Sequence, residues 1–163
     1  MIVPGKGQNV RFATWAMKTT SLIRQNADVM EDVAELARLC PRTKIVLDHH
    51  GNPDVEGGVT DAWRRGIDAV AAQKNTIGKM SGLIQHMSKP DWTTAMFTPF
   101  MSHLVDAFGA DRIVWGSNWP VCLLAGDLGP WVETTNEVLA TRTPEERTAI
   151  MCGTAQRVYG VRS

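Results

Sequence analysis

What this chain lacks narrows its class before any motif is considered. Its apolar runs reach only four or five residues, far short of the ~20 needed to cross a bilayer as a helix. Neither charge is in excess. Lys plus Arg number 17 against 17 Asp plus Glu, so nothing draws the chain to nucleic acid or to an anionic membrane. The opening Met1-Ile2-Val3-Pro4-Gly5-Lys6-Gly7 lacks a basic stretch followed by an apolar one, and no signal peptide is expected. Cysteine is scarce, odd in number and widely spaced (Cys40, Cys122, Cys152), with no CxxC pair. Reduced thiols in a cytoplasm are therefore expected, not a disulfide framework. No glycine-rich phosphate loop follows a strand-like run, which argues against nucleotide binding. Tyrosine occurs once against six tryptophans, several of which flank loop-like segments where they could line a pocket.

What is present is an ordinary globular composition, 44% apolar and 21% charged, in 163 residues, the size of one domain. Four short β-branched runs stand out: Val10–Trp15, Lys44–Asp48, Thr76–Met80 and Arg112–Trp115. A polar loop and a helical pattern follow each. Asp28 can cap a helix with Glu31 three residues on, Val33, Leu36, Ala37 and Cys40 on its apolar face, and Pro41 ending it. Thr60 can cap a second, with Val59, Trp63, Ile67, Val70 and Ala71 on its face. Pro99, Phe100, Leu104, Val105 and Phe108 form a third stripe, stopped by Gly109. A further helix fits Pro130–Ala140. Thr143-Pro144-Glu145-Glu146 opens the last one with a cap, a first-position proline and two acids against the dipole, and Gly160 closes it.

Strand–helix alternation predicts a parallel sheet with right-handed crossovers. The strand centres recur at a spacing of roughly 32 to 36 residues, close to one unit of an eight-unit barrel of ~250 residues. Four units fit in this chain, which leaves half a barrel or a small open α/β sheet.

In parallel α/β folds chemistry gathers at the carboxyl ends of strands. Here the second run ends Asp48-His49-His50-Gly51-Asn52-Pro53-Asp54. The third ends Lys79-Met80-Ser81-Gly82, with His86 soon after, and the fourth Gly116-Ser117-Asn118-Trp119-Pro120. Each carries a glycine that lets backbone approach a ligand. One such loop would be unremarkable, but three together point to a site. His49, emerging from a buried Ile-Val-Leu strand, suits a metal ligand or a general acid/base. Strand alternation would send His50 the opposite way and turn Asp48 away from His49, to support the loop. His103 falls in a helical stripe and is read as a surface or core residue.

The runs Val46–Asp54, Lys79–Leu83 and Phe108–Cys122, with the ending Gly153–Val161, resemble the amidohydrolase-related (amidohydrolase 2) family, most nearly its fuconolactone and rhamnonolactone hydrolases. The resemblance runs from about Phe12 to the end. It implies the carboxy-terminal half of a (β/α)8 barrel, a single partial-barrel domain over residues 1–163. It also implies hydrolysis of a sugar-acid lactone or related cyclic ester by an activated water. On this reading His49, Lys79 and Asn118 are catalytic, and His50, Asn52, Ser81, Trp92, Ser117 and Trp119 bind substrate.

Two departures qualify it. The His-x-His pair of the family's first strand has no counterpart among His49, His50, His86 and His103. Asn118 stands where metal-dependent members place an aspartate, and an amide is neither a general base nor a good zinc ligand. His49 is then the one recognisable metal ligand, and only if a missing half or a partner supplies others. No tight metal site is expected in this chain alone, and a zinc-like divalent ion belongs to a full-length form. The alternative is a non-catalytic half-barrel that binds a lactone or organic acid, or pairs as a homodimer to cover its two open sheet edges.

Overall fold

The computed structural model of the chain describes residues 4–5, 8–9, 19–22, 29–87, 91–124 and 126–161. A short antiparallel pair, β1 (Pro4–Gly5) and β2 (Gln8–Asn9), precedes the main sheet. That sheet is parallel, in the order β3 (Thr19–Leu22), β4 (Lys44–Leu47), β5 (Thr76–Met80), β6 (Ile113–Trp115). The run Val10–Trp15 lies outside the described residues, and Thr19–Leu22 is the segment that pairs with β4. Thr-Thr-Ser-Leu carries too few apolar side chains to announce itself as a strand.

The helices are α1 (Met30–Leu39), α2 (Asp61–Ala71), α3 (Thr94–Phe108), α4 (Leu128–Leu139), α5 (Pro144–Thr148) and α6 (Thr154–Tyr159). Their ends follow local chemistry. The Thr60 hydroxyl accepts from Trp63 N at 3.1 Å, and Thr143 with Glu146 forms a reciprocal capping box. Gly109 and Gly160 stop α3 and α6 at positive φ, where a side chain is disfavoured. The first helix differs from the expectation. It begins at Met30, with Val29 at the cap position making no side-chain bond, and Asp28 lies outside the described residues. A π-helical turn over Ala149–Gly153 joins α5 to α6.

Strand alternation gives the sheet two apolar faces. Ile45, Leu47 and Ile113 point to one side, into the main core with Met30 and Ala37 of α1, Trp63 and Ile67 of α2, and Phe100, Leu104 and Phe108 of α3. Gly78 makes room here, since a Cβ on it would sit 3.0 Å from the Ile113 side chain and 3.2 Å from the Phe108 ring. On the other side Val46, Ile77 and Val114 form a smaller cluster, covered by Val158 and Ala155 of α6. Asp48, Lys79 and Gly116 continue this second face two residues beyond those three, toward the strands' carboxyl ends. That end of the sheet carries the polar loops.

Candidate functional site

The strand β4 stops at Leu47 and the chain then turns sharply. His49, His50 and Asn52 all have positive φ (54°, 54° and 51°), as does Asn118 (57°) after β6. No other non-glycine residue among those described does so. Backbone of this kind costs of order 1 kcal/mol or more per residue and clusters at functional sites.

The turn brings both histidines onto one residue. His49 Nδ1 lies 2.8 Å from Ser81 Oγ, and His50 Nδ1 lies 3.0 Å from the Ser81 carbonyl oxygen. Only one of the two is open to a site, as expected: His50 is fully buried, whereas His49 is half-buried. The left-handed turn separates them, since alternation applies only within extended strand. Gly82 is part of the arrangement: a Cβ there would lie 2.6 Å from His49 Nδ1. Ser81, expected to touch substrate, is fully buried beneath His49.

His50 is also fully buried. Its Nδ1–H donates to the carbonyl, and Nε2 has no hydrogen-bond partner among the described residues. Burial, first of all, pushes its pKa down to about 3. The Ser81 carbonyl opposes that shift and the neighbouring His49 adds to it. His50 is a neutral structural imidazole at any physiological pH. Its backbone carbonyl accepts from Trp63 Nε1 at 2.9 Å, which ties the turn to α2.

Asp48, 3% exposed, is turned away from solvent, and its Oδ1 lies 3.0 Å from Lys79 Nζ. The lysine is about one-quarter exposed and has two further ammonium protons to offer. Asp48 thus supports the site by holding Lys79, a partner more specific than the loop support expected of it. Tyr159, at the end of α6, feels the same pair. Burial raises its pKa, while Lys79 lowers and Asp48 raises it. No local spacing marks this neighbour, because it depends on α6 folding over the second face.

After β6, the Ser117 hydroxyl accepts from Trp119 N at 3.2 Å, and Trp119 is 65% exposed. Asn118 Nδ2 donates to Gln85 Oε1, a residue that no motif flagged. Asn52 N donates to the His49 carbonyl at 2.8 Å. Trp92 packs on Phe97 (ring centroids 5.1 Å apart), which meets Trp131, whose indole donates to the Gly116 carbonyl. His103 lies elsewhere, between Asp68 (3.0 Å) and Arg64 (3.1 Å) of α2, with its ring on Trp63. The structure thus gathers His49, His50 and Ser81 into one bonded cluster and pairs Lys79 with Asp48. Ser117, Asn118 and Trp119 occupy the neighbouring strand end.

The donor set does not fit a metal centre. Among the described residues no three His, Cys, Asp or Glu side chains are grouped to hold an ion. The Nδ1 atoms of both histidines are engaged by Ser81, and His50 Nε2 is sealed in the interior. No helix among the described residues is long and apolar enough to cross a membrane.

Comparison with known proteins agrees with this architecture. The amidohydrolase family model (amidohydrolase 2) matches residues 14–161. An L-fucono-1,5-lactonase of Burkholderia ambifaria is 33% identical over 136 residues, 77% of this chain and 44% of the relative. A second L-fucono-1,5-lactonase, from Burkholderia multivorans, is 32% identical over 130 residues, 72% of this chain and 43% of its own length. Among solved structures, an amidohydrolase of Burkholderia multivorans with bound zinc superposes with a TM-score of 0.79 at 26% identity, covering 88% of this chain and 53% of that one. The chain spans less than half the length of the curated relatives it matches.

Proposed function

Because the chain belongs to the amidohydrolase family, we propose that it supplies the carboxy-terminal half of a (β/α)8 barrel that hydrolyses a sugar-acid lactone or related cyclic ester. The observation that carries this reading is the placement of His49, Lys79 and Asn118 at the carboxyl ends of three adjacent parallel strands, two of them on left-handed backbone. The lactonase relatives support the substrate class.

Water adds to the lactone carbonyl, an oxyanion forms, and the ring C–O bond breaks to give a hydroxy acid. His49 moves the proton between water and the leaving oxygen. Lys79, steadied by Asp48 at 3.0 Å, directs its remaining N–H groups at the developing negative charge. Asn118, oriented by Gln85, and Ser117 position water and sugar hydroxyls, with Trp119 and Trp92 as apolar walls. His50 and Ser81 act from beneath, and Asn52 shapes the turn. The described residues alone form no metal site, and a zinc-like divalent ion would belong to a full-length form in which the other half supplies the further ligands beside His49. The reading treats residues 1–163 as one partial-barrel domain, and places it in the cytoplasm on the strength of three unpaired cysteines.

A second reading has its own support. The described residues hold no three-ligand group, and the sequence has no His-x-His. A half-barrel that binds a lactone or hydroxy acid without turnover, or pairs as a homodimer, fits those two facts. The test is to assay release of acid from L-fucono-1,5-lactone and other sugar lactones by this chain, alone and fused behind the amino-terminal half of a lactonase relative. Hydrolysis by either form supports the enzyme. Binding without hydrolysis by both supports the second reading.

A further inference from the structure

The hydroxyl of Ser81 is fully buried, and a buried O–H must find an acceptor. Among the described residues its one hydrogen-bond partner is His49 Nδ1, at 2.8 Å. A neutral imidazole nitrogen can either donate or accept. If Nδ1 donated, the serine proton would be left in the interior with no acceptor. If Nδ1 accepts, both groups are satisfied by the same bond. The second arrangement wins because it leaves no buried donor unmade.

We infer that Ser81 is a positioning residue that fixes neutral His49 as the tautomer protonated at Nε2, so that His49 meets its ligand as a proton donor. The neighbouring pair makes the contrast internal to the site. His50 Nδ1 faces the carbonyl oxygen of the same serine, which can only accept, so His50 carries its proton on Nδ1. One residue thus sets two adjacent histidines in opposite tautomers. The ring packs closely on Gly82, where a Cβ would come within 2.6 Å of Nδ1. For lactone opening, a role that rests on the proposed hydrolase reading, transfer of the Nε2 proton to the ring oxygen is concerted with C–O cleavage and with uptake of the attacking water's proton at the same nitrogen. His49 is neutral before and after, no imidazolate forms, and the proton lost by the water ends on the released hydroxyl.

The test is the long-range nitrogen–proton spectrum of the imidazoles in this chain, at a pH above the ordinary histidine pKa, with His49→Gln and His50→Gln variants to assign the signals. The expected result is an unprotonated Nδ1 and a protonated Nε2 for His49, with the reverse for His50. Ser81→Ala should shift His49 toward a mixture of tautomers, Ser81→Thr should restore it, and the backbone spectrum should report that both variants fold. A His49 protonated at Nδ1 in the unmodified chain, or one indifferent to Ser81→Ala, would overturn the inference. The readout needs no turnover, so failure of the hydrolase reading would leave it standing, and the reverse also holds. In a form that hydrolyses lactone, Ser81→Ala should lower kcat more than tenfold with KM changed less than threefold.

Discussion

His50 donates from Nδ1 to the carbonyl oxygen of Ser81 at 3.0 Å, and both residues are sealed from solvent. The bond satisfies one nitrogen but leaves no room for a charged ring. The pKa of His50 falls from 6.5 to about 3, so the unfolded chain binds a proton that the folded one refuses. Its contribution to stability is complete above about pH 6.5 and is lost as the pH falls toward 3. The loss should approach ~1.4 kcal/mol per pH unit in that window. Urea unfolding at pH 7 and pH 5 measures it. His50→Leu should flatten the difference relative to the unmodified chain, because other acid-titrating groups are common to both.

Lys79 compensates the buried carboxylate of Asp48. Replacing it by Met strands that charge, and urea unfolding at pH 7 should show a loss of about 2 kcal/mol, below the full cost of breaking a sealed pair because the ammonium is partly solvated. Adding Asp48→Asn to Lys79→Met should recover much of the loss. A double variant no more stable than Lys79→Met alone would mean that the pair is not coupled.

Gly82 and Gly58 both have φ near +75° (75° and 77°), yet they differ in surroundings. A Cβ at Gly58 meets nothing within 4 Å, whereas at Gly82 it strikes the His49 ring. Gly58→Ala should cost only the backbone term of about 1 kcal/mol. Gly82→Ala should cost about 2–3 kcal/mol, since overpacking adds to strain. It should also displace the His49 imidazole signals. Equal melting temperatures for the two variants would contradict the packing described for His49.

Much of the fold was legible because its signals are local. The Ile-Val-Leu and Ile-Val-Trp runs, the Thr60 and Thr143 caps and the Gly109 and Gly160 stops each depend on a few neighbouring residues. The site was legible as a set of loops but not as a geometry. Period-two reasoning separated His49 from His50, but nothing in Asp48-His49-His50-Gly51 reveals that strand pairing ends at Leu47 and a left-handed turn takes over. Gln85 beside Asn118 and Tyr159 near Lys79 are tertiary neighbours, 33 and 80 residues away in the chain. No spacing rule reaches that far. The strand Thr19–Leu22 was missed for a different reason, its polar side chains.

The central claim is that His49 is the proton-transferring residue of a lactone hydrolase. It is tested most directly by comparing kcat/KM on a sugar lactone for the active form of the chain with and without His49→Ala. The account predicts a loss of at least about 100-fold, the ordinary contribution of a positioned acid–base group. An unchanged kcat/KM would contradict it and remove His49 from the chemistry.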